Sequence, residues 1–239
     1  MKSSGQDKYA IKNNLQHPRR VICSKTLRGS YTARPPGSLT QQDPPGVWRS
    51  IAIFGGTFNP VHLGHLVAAQ TALETLKLNR VIFVPSSKPP HKLEKDLASA
   101  ADRFKMVKLA TENHPRFDVS DWEIKRGGKS YSIDTARFFR KKYPLPAQLF
   151  FIIGGDELIA LPAWKDFEQL LELLTFVAVN RPGYKKSPES RRISHLAVEM
   201  PDIDLSSSLI RERVRAGQSV RFLVPDPVAL YIEKKGLYR

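Results

Sequence analysis

The sequence predicts a single α/β domain, a doubly wound parallel sheet with helices on both faces, preceded by a flexible basic extension. Three observations carry this expectation. Short, continuous apolar strands alternate with segments of helical period, as strands buried on both faces require. Several of these strands end in Gly- or Pro-bearing loops, which is where open α/β sheets bind ligands. The 239-residue chain is 41% hydrophobic and 9% aromatic, enough to pack one core, while no apolar run approaches the length of a membrane span.

Taken in order, residues 1–48 show neither helical nor strand period and include Pro35, Pro36, Pro44 and Pro45, which reads as a flexible tail. A disordered tail, an upstream translation start and a targeting peptide all fit this composition, but the apolar core of a secretory signal is absent. Residues 50–54 then form a buried strand that stops at Gly55-Gly56. Leu66, Ala69, Leu73 and Leu76 recur at spacings of three and four, predicting a helix over 63–77. A second strand over 81–84 is stopped by Pro85. Helices are expected near 100–113 and 132–142, and a strand over 149–153 ends in Gly154-Gly155. A helix near 166–173, a strand over 176–179 and helices near 207–216 and 226–235 complete the pattern. Residues 49–239 are therefore expected to form one Rossmann-like domain, with 1–48 as a disordered basic extension.

Charge narrows the function classes. The net charge is +15, and residues 1–49 alone hold nine basic and two acidic residues. The rest of the chain is moderately basic, as suits a protein that handles phosphates. A nucleic-acid-binding protein using the extension as an electrostatic arm is the reading from a different class. It is disfavoured because the chain has no RNP-like, zinc-finger or helix-turn-helix pattern. Cys23 is the only cysteine, so an intramolecular disulfide and a cysteine zinc cluster are excluded.

The loop after the first strand reads Gly55-Gly56-Thr57-Phe58-Asn59-Pro60-Val61-His62-Leu63-Gly64-His65. Its glycines let backbone approach a ligand, and the following helix offers free N–H groups and a positive dipole end to an anion. It fits neither G-x-G-x-x-G nor G-x-x-x-x-G-K-[ST]. His62 and His65, three residues apart at a helix start, can face one side and donate to phosphate oxygens. A zinc pair is disfavoured, since neither H-E-x-x-H nor a nearby cysteine accompanies them. Ser206 and Ser207 precede another helix as candidate caps, which puts Arg211 in or beside its first turn. A docked anion would relieve that unfavourable charge. The loop from Pro85 to Lys92, with His91, is basic and proline-stiffened and could clamp phosphates. Asp134 and Thr135 could cap the helix they open, and Trp164 offers a ring face for stacking.

G-G-T-F-N-P-V-H-L-G-H resembles the H-x-G-H signature of the nucleotidylyltransferase superfamily. Within it, residues 50–239 resemble the bacterial nicotinate-mononucleotide adenylyltransferase family. Ser206-Ser207-Ser208-Leu209-Ile210-Arg211 is similar to the I-S-S-[ST]-x-I-R motif, with Leu205 in place of its Ile. The loop to Lys92 is similar to P-x-x-x-P-P-H-K, and Ser130–Thr135 to [ST]-Y-[ST]-x-D-T. Gly154-Gly155-Asp156 followed by Leu161-Pro162-Ala163-Trp164 is similar to G-x-D-x-x-x-x-L-P-x-W.

The resemblance implies adenylyl transfer from ATP to nicotinate mononucleotide in NAD biosynthesis, with Mg²⁺ accompanying ATP and no protein metal ligands. By it, Gly55, Gly56, Thr57, Phe58, His62, His65, Asp156, Ser206, Ser207 and Arg211 meet ATP. His62, His65, Lys92 and Arg211 offset phosphate charge during the reaction. Lys92, Ser132, Asp134, Trp164, Lys165 and Arg181 meet the acceptor, with Trp164 stacked on the pyridine ring and backbone amides near Ser132 and Lys165 on its carboxylate. Arg103 has a family counterpart and could equally be structural. The same chemistry on nicotinamide mononucleotide or phosphopantetheine is the alternative. A cytoplasmic place is implied, an organelle being the other choice, and a homo-oligomer is left open.

Overall fold

The computed structural model describes residues 22–23, 49–89, 97–180 and 193–239. Its centre is a sheet of β1 (Ile22–Cys23), β2 (Ser50–Gly56), β3 (Arg80–Pro85), β4 (Phe117–Val119), β5 (Gln148–Gly154), β6 (Thr175–Asn180) and β7 (His195–Glu199). The spatial order is β1-β7-β6-β5-β2-β3-β4. The six strands from β2 to β7 run parallel, and β1 adds an antiparallel pair, Ile22 opposite Ala197 and Cys23 opposite Leu196. No strand period marked that pair, because two residues are too few to show one.

Alternation along each strand divides the core. Ala52, Phe54, Phe83, Ile152 and Val177 point to one face and pack with α1 (Leu63–Thr75), α2 (Ala100–Thr111), α6 (Ser207–Arg215) and α7 (Asp226–Lys235). Ile51, Ile53, Ile82, Phe151 and Phe176 point to the other and pack with α4 (Ser132–Lys142) and α5 (Phe167–Leu173). Each side chain so buried is worth about 1.5–3 kcal/mol relative to exposure. Six expected helices lie within a few residues of their observed places. A short helix, α3 (Trp122–Arg126), and the strands β4 and β7 were not expected. β4 has three residues, and β7 carries only Leu196-Ala197-Val198 between His195 and Glu199, so neither shows a clear period.

The topology locates the site. From β2 the chain winds outward to β3 and β4, then returns to β5 on the other side of β2. β2 and β5 are thus adjacent strands whose connections leave in opposite directions, and such a reversal opens a crevice at the strands' carboxyl ends. Gly55-Gly56 and Gly154-Gly155 sit at that edge.

Candidate active site

A cavity of about 1210 Å³ occupies this crevice. Gly55, Gly56 and Gly154 line it at the strand ends, His62 and His65 from α1 on one face, and Tyr131, Ser132 and Trp164 on the other. Glycine is required at the edge for contact reasons. A Cβ on Gly55 would lie 2.9 Å from the Phe151 ring, and one on Gly56 3.0 Å from Phe58.

α1 starts without a Ser, Thr, Asp or Asn cap. His62 is its N-cap, and the two imidazoles form a capping box with the backbone. The His62 N–H donates to His65 Nδ1 at 3.2 Å. Because Nδ1 accepts, the His65 proton sits on Nε2, which leaves a donor suited to an anion. The two rings lie 3.7 Å apart, and Phe58 meets His65 edge-on at 5.1 Å. A Cβ on Gly64 would sit 3.0 Å from His62 Nδ1, so the smallest residue is what lets the two rings approach. Phe58 itself has a φ of +48°, in the left-handed region that a bulky residue adopts only when its surroundings impose it.

Those surroundings are polar ties. Arg103 is fully buried, and donates to Thr57 O at 2.8 Å, Ala98 O at 3.0 Å and Ser87 O at 3.0 Å. It therefore joins the loops after β2 and β3 to the start of α2, a structural role. Burial pushes its pKa down from the usual guanidinium value, yet a guanidinium stays charged. Asn59, also buried, accepts from the Ala98 N–H at 3.0 Å and the Tyr238 hydroxyl at 2.8 Å. Burial raises the Tyr238 pKa, so the phenol keeps its proton for that bond. Ser206 caps α6 by accepting from the Leu209 N–H. Ser207 donates to Pro60 O at 2.9 Å, and Arg211 to Asn59 O at 3.0 Å and Ser208 Oγ at 3.2 Å. The amino end of α6 is thereby pinned beside the histidine loop.

On the opposite wall, Trp164 stands edge-on to Phe151 and Phe176, which fixes the ring while leaving it half-buried. Lys165 Nζ lies 4.8 Å over the Tyr131 ring. Asp156 reaches back over Gly154, where any Cβ would collide with its Oδ1.

Of the residues expected in the site, Gly55, Gly56, Thr57, Phe58, His62 and His65 line the cavity. Asp156, Ser132, Trp164, Lys165 and Ser207 line it too. Ser206 and Arg211 lie beside the wall, in the roles just given. Asp134 is also off the wall, paired with Arg126 at 3.3 Å and Arg137 at 3.8 Å. Lys92, His91 and Arg181 lie outside the described residues. Asn59 and Glu123 went unmarked by sequence reasoning, though Asn-Pro before the helix was a signal for the first. No group of three or more His, Cys, Asp or Glu that could hold a metal occurs among the described residues.

Comparison with known proteins gives the family. The family model for cytidylyltransferase-like proteins matches residues 53–213. Nicotinate-nucleotide adenylyltransferases of Geobacillus thermodenitrificans and Thermus thermophilus are each 46% identical, over 188 and 189 residues. Each match covers 79% of this chain, and 85% and 99% of those proteins. The enzyme of Shouchella clausii is 47% identical over 190 residues, covering 80% and 97%. In fold, the chain is similar to the Plasmodium falciparum nicotinic acid mononucleotide adenylyltransferase complexed with NaAD. That likeness has a TM-score of 0.64 at 18% identity, and covers 79% of this chain and 96% of that one. The chain belongs to the cytidylyltransferase-like proteins and, among them, to the nicotinate-nucleotide adenylyltransferase family.

Proposed function

We infer that the chain transfers the adenylyl group of ATP to nicotinate mononucleotide, giving deamido-NAD and pyrophosphate in NAD biosynthesis. The observation that carries this reading is one cavity, with His62 and His65 at a helix amino end on one face and Trp164 on the other, in a chain nearly half identical to enzymes of that name. A phosphate monoester is ionised near neutral pH, so the acceptor needs no enzymic base. Its phosphate oxygen forms a bond to the α-phosphorus of ATP in line with the departing group. The bond from that phosphorus to the bridging oxygen breaks, and its electron pair leaves with pyrophosphate.

The protein's part is positioning and charge stabilisation. His65 Nε2–H and the amino ends of α1 and α6 offer donors to the triphosphate. Trp164 would hold the pyridine ring, and amides at the start of α4 and near Lys165 its carboxylate. Lys92 and Arg181 remain our proposed phosphate contacts, and Arg211 is proposed to reach the triphosphate from its place beside the wall. Mg²⁺ is proposed to enter on ATP. Sequence motifs named no protein ligand for the ion; a cation held by phosphate oxygens and water takes at most one or two carboxylates, and Asp156 in the wall would suit as one. Bound there, it would neutralise charge building on the leaving pyrophosphate. A cytoplasmic place is proposed from the bacterial relatives. Incubating the purified chain with Mg·ATP and nicotinate mononucleotide tests the reading. It predicts deamido-NAD and pyrophosphate in equal amounts, and formation of neither would overturn it.

A further inference from the structure

Glu123 is the buried residue of α3, while Lys125 and Arg126 on the same helix are exposed. A carboxyl taken from water is costly unless its hydrogen bonds repay it, and here they are arranged toward the cavity. Thr135 Oγ1, in the first turn of α4, donates to Glu123 Oε1. The Ser130 hydroxyl is close enough to the same carboxyl to draw its pKa down. Ser130 also accepts from the Ser87 N–H at 2.8 Å, and its own N–H donates to Lys88 O at 3.0 Å. Ser87 O in turn accepts from Arg103. Hydrogen bonds thus join Arg103 to Ser87, Ser87 to Ser130 and Thr135 to Glu123, with the Ser130 hydroxyl beside the Glu123 carboxyl. Between Ser130 and Thr135 lies Tyr131-Ser132, the N-cap and first residue of α4 and part of the cavity wall.

The carboxyl has capacity to spare. Glu123 is 5% exposed and lines the cavity, and its Oε2 is buried with no hydrogen-bond partner. Burial raises its pKa, opposed by the two hydroxyls and by Arg126 and reinforced by Asp134.

We propose that Glu123 is a positioning residue for the acceptor: through Ser130 and Thr135 it holds the Tyr131-Ser132 turn in the shape that receives the mononucleotide. This rests on the reading that the acceptor's ring and carboxylate occupy the Trp164 wall. The histidine wall receives ATP and meets these hydrogen bonds at the Arg103 end, where the guanidinium donates to Thr57 O; none of the bonds just named involves His62 or His65.

Steady-state kinetics with each substrate varied in turn tests it on four proteins: the wild type, Glu123→Ala, Glu123→Gln and Thr135→Val. Glu123→Ala and Thr135→Val should raise KM for nicotinate mononucleotide by about tenfold, the ratio matching roughly 1.4 kcal/mol for a lost hydrogen bond. KM for ATP should stay near wild type. Glu123→Gln retains an oxygen for Thr135 and an amide donor for Ser130, so it should restore most of the loss. Equal rises in both KM values, or no rise in Thr135→Val, would overturn the proposal. So would a Gln variant as impaired as the Ala one. If Glu123→Ala does not fold, Thr135→Val and Glu123→Gln decide between these outcomes. A wild type that forms no deamido-NAD would instead refute the parent reading, which keeps the two failures apart.

Discussion

His65 is placed by its neighbours more than by its own helix: a backbone N–H fixes its tautomer and Phe58 backs its ring. Such a donor is set before substrate arrives, and removing one from a preorganised site costs roughly 3–4 kcal/mol of barrier. His65→Ala should therefore lower kcat about 100- to 1000-fold, with a thermal unfolding midpoint near wild type; near-normal turnover would refute its place in the site. Gly64→Ala places a methyl 3.0 Å from His62 Nδ1. It should yield a folded protein with kcat reduced by displacement of that ring, as turnover and circular dichroism would report. The histidines and glycines were legible because a G-G-x-F-N-P-x-H-x-G-H loop has few structural uses. Asn59 and Arg103 were harder to read, because their work depends on Ala98, Ser87 and Tyr238, which lie near them only in the fold.

At the scale of elements, α6 shows how a helix becomes part of a site. Its Ser206 cap ends an extended approach, and Ser207 and Arg211 anchor its first turns to Pro60 and Asn59. Ser206→Ala should cost about 1 kcal/mol of folding stability, measurable by urea denaturation. Its ATP KM should rise as well if the capped end meets phosphate. Elements with several turns or a continuous apolar run were legible: α4 and α7 lie where spacing placed them. α3 escaped notice because five residues are too few to show a helical period. That matters for function, since α3 carries Glu123.

For the molecule as a whole, strand order matters most. Local pattern indicates a parallel sheet but does not say that β5 returns beside β2, and that reversal makes the crevice. Two helices on one face of the sheet are also tied to each other, where the Tyr231 hydroxyl of α7 donates to Asp102 of α2 at 2.8 Å. Burial and this bond raise the Tyr231 pKa from 10.0 to about 12. A raised folded pKa favours the protonated form, so the bond's stabilisation is fully present below pH 10 and is lost as pH rises toward about 12. The stability gap between wild type and Tyr231→Phe, measured by urea denaturation over a pH series, should close across that window. No change in the gap would contradict it.

The proposed activity rests on one cavity whose histidine wall takes the triphosphate and whose Trp164 wall takes the pyridine ring. Initial rates of Mg·ATP-dependent pyrophosphate release with nicotinate mononucleotide, nicotinamide mononucleotide and phosphopantetheine, side by side, test it most directly. The highest kcat/KM is expected with nicotinate mononucleotide. Preference for phosphopantetheine would contradict the role given to Trp164, and release with none of the three would contradict the activity itself.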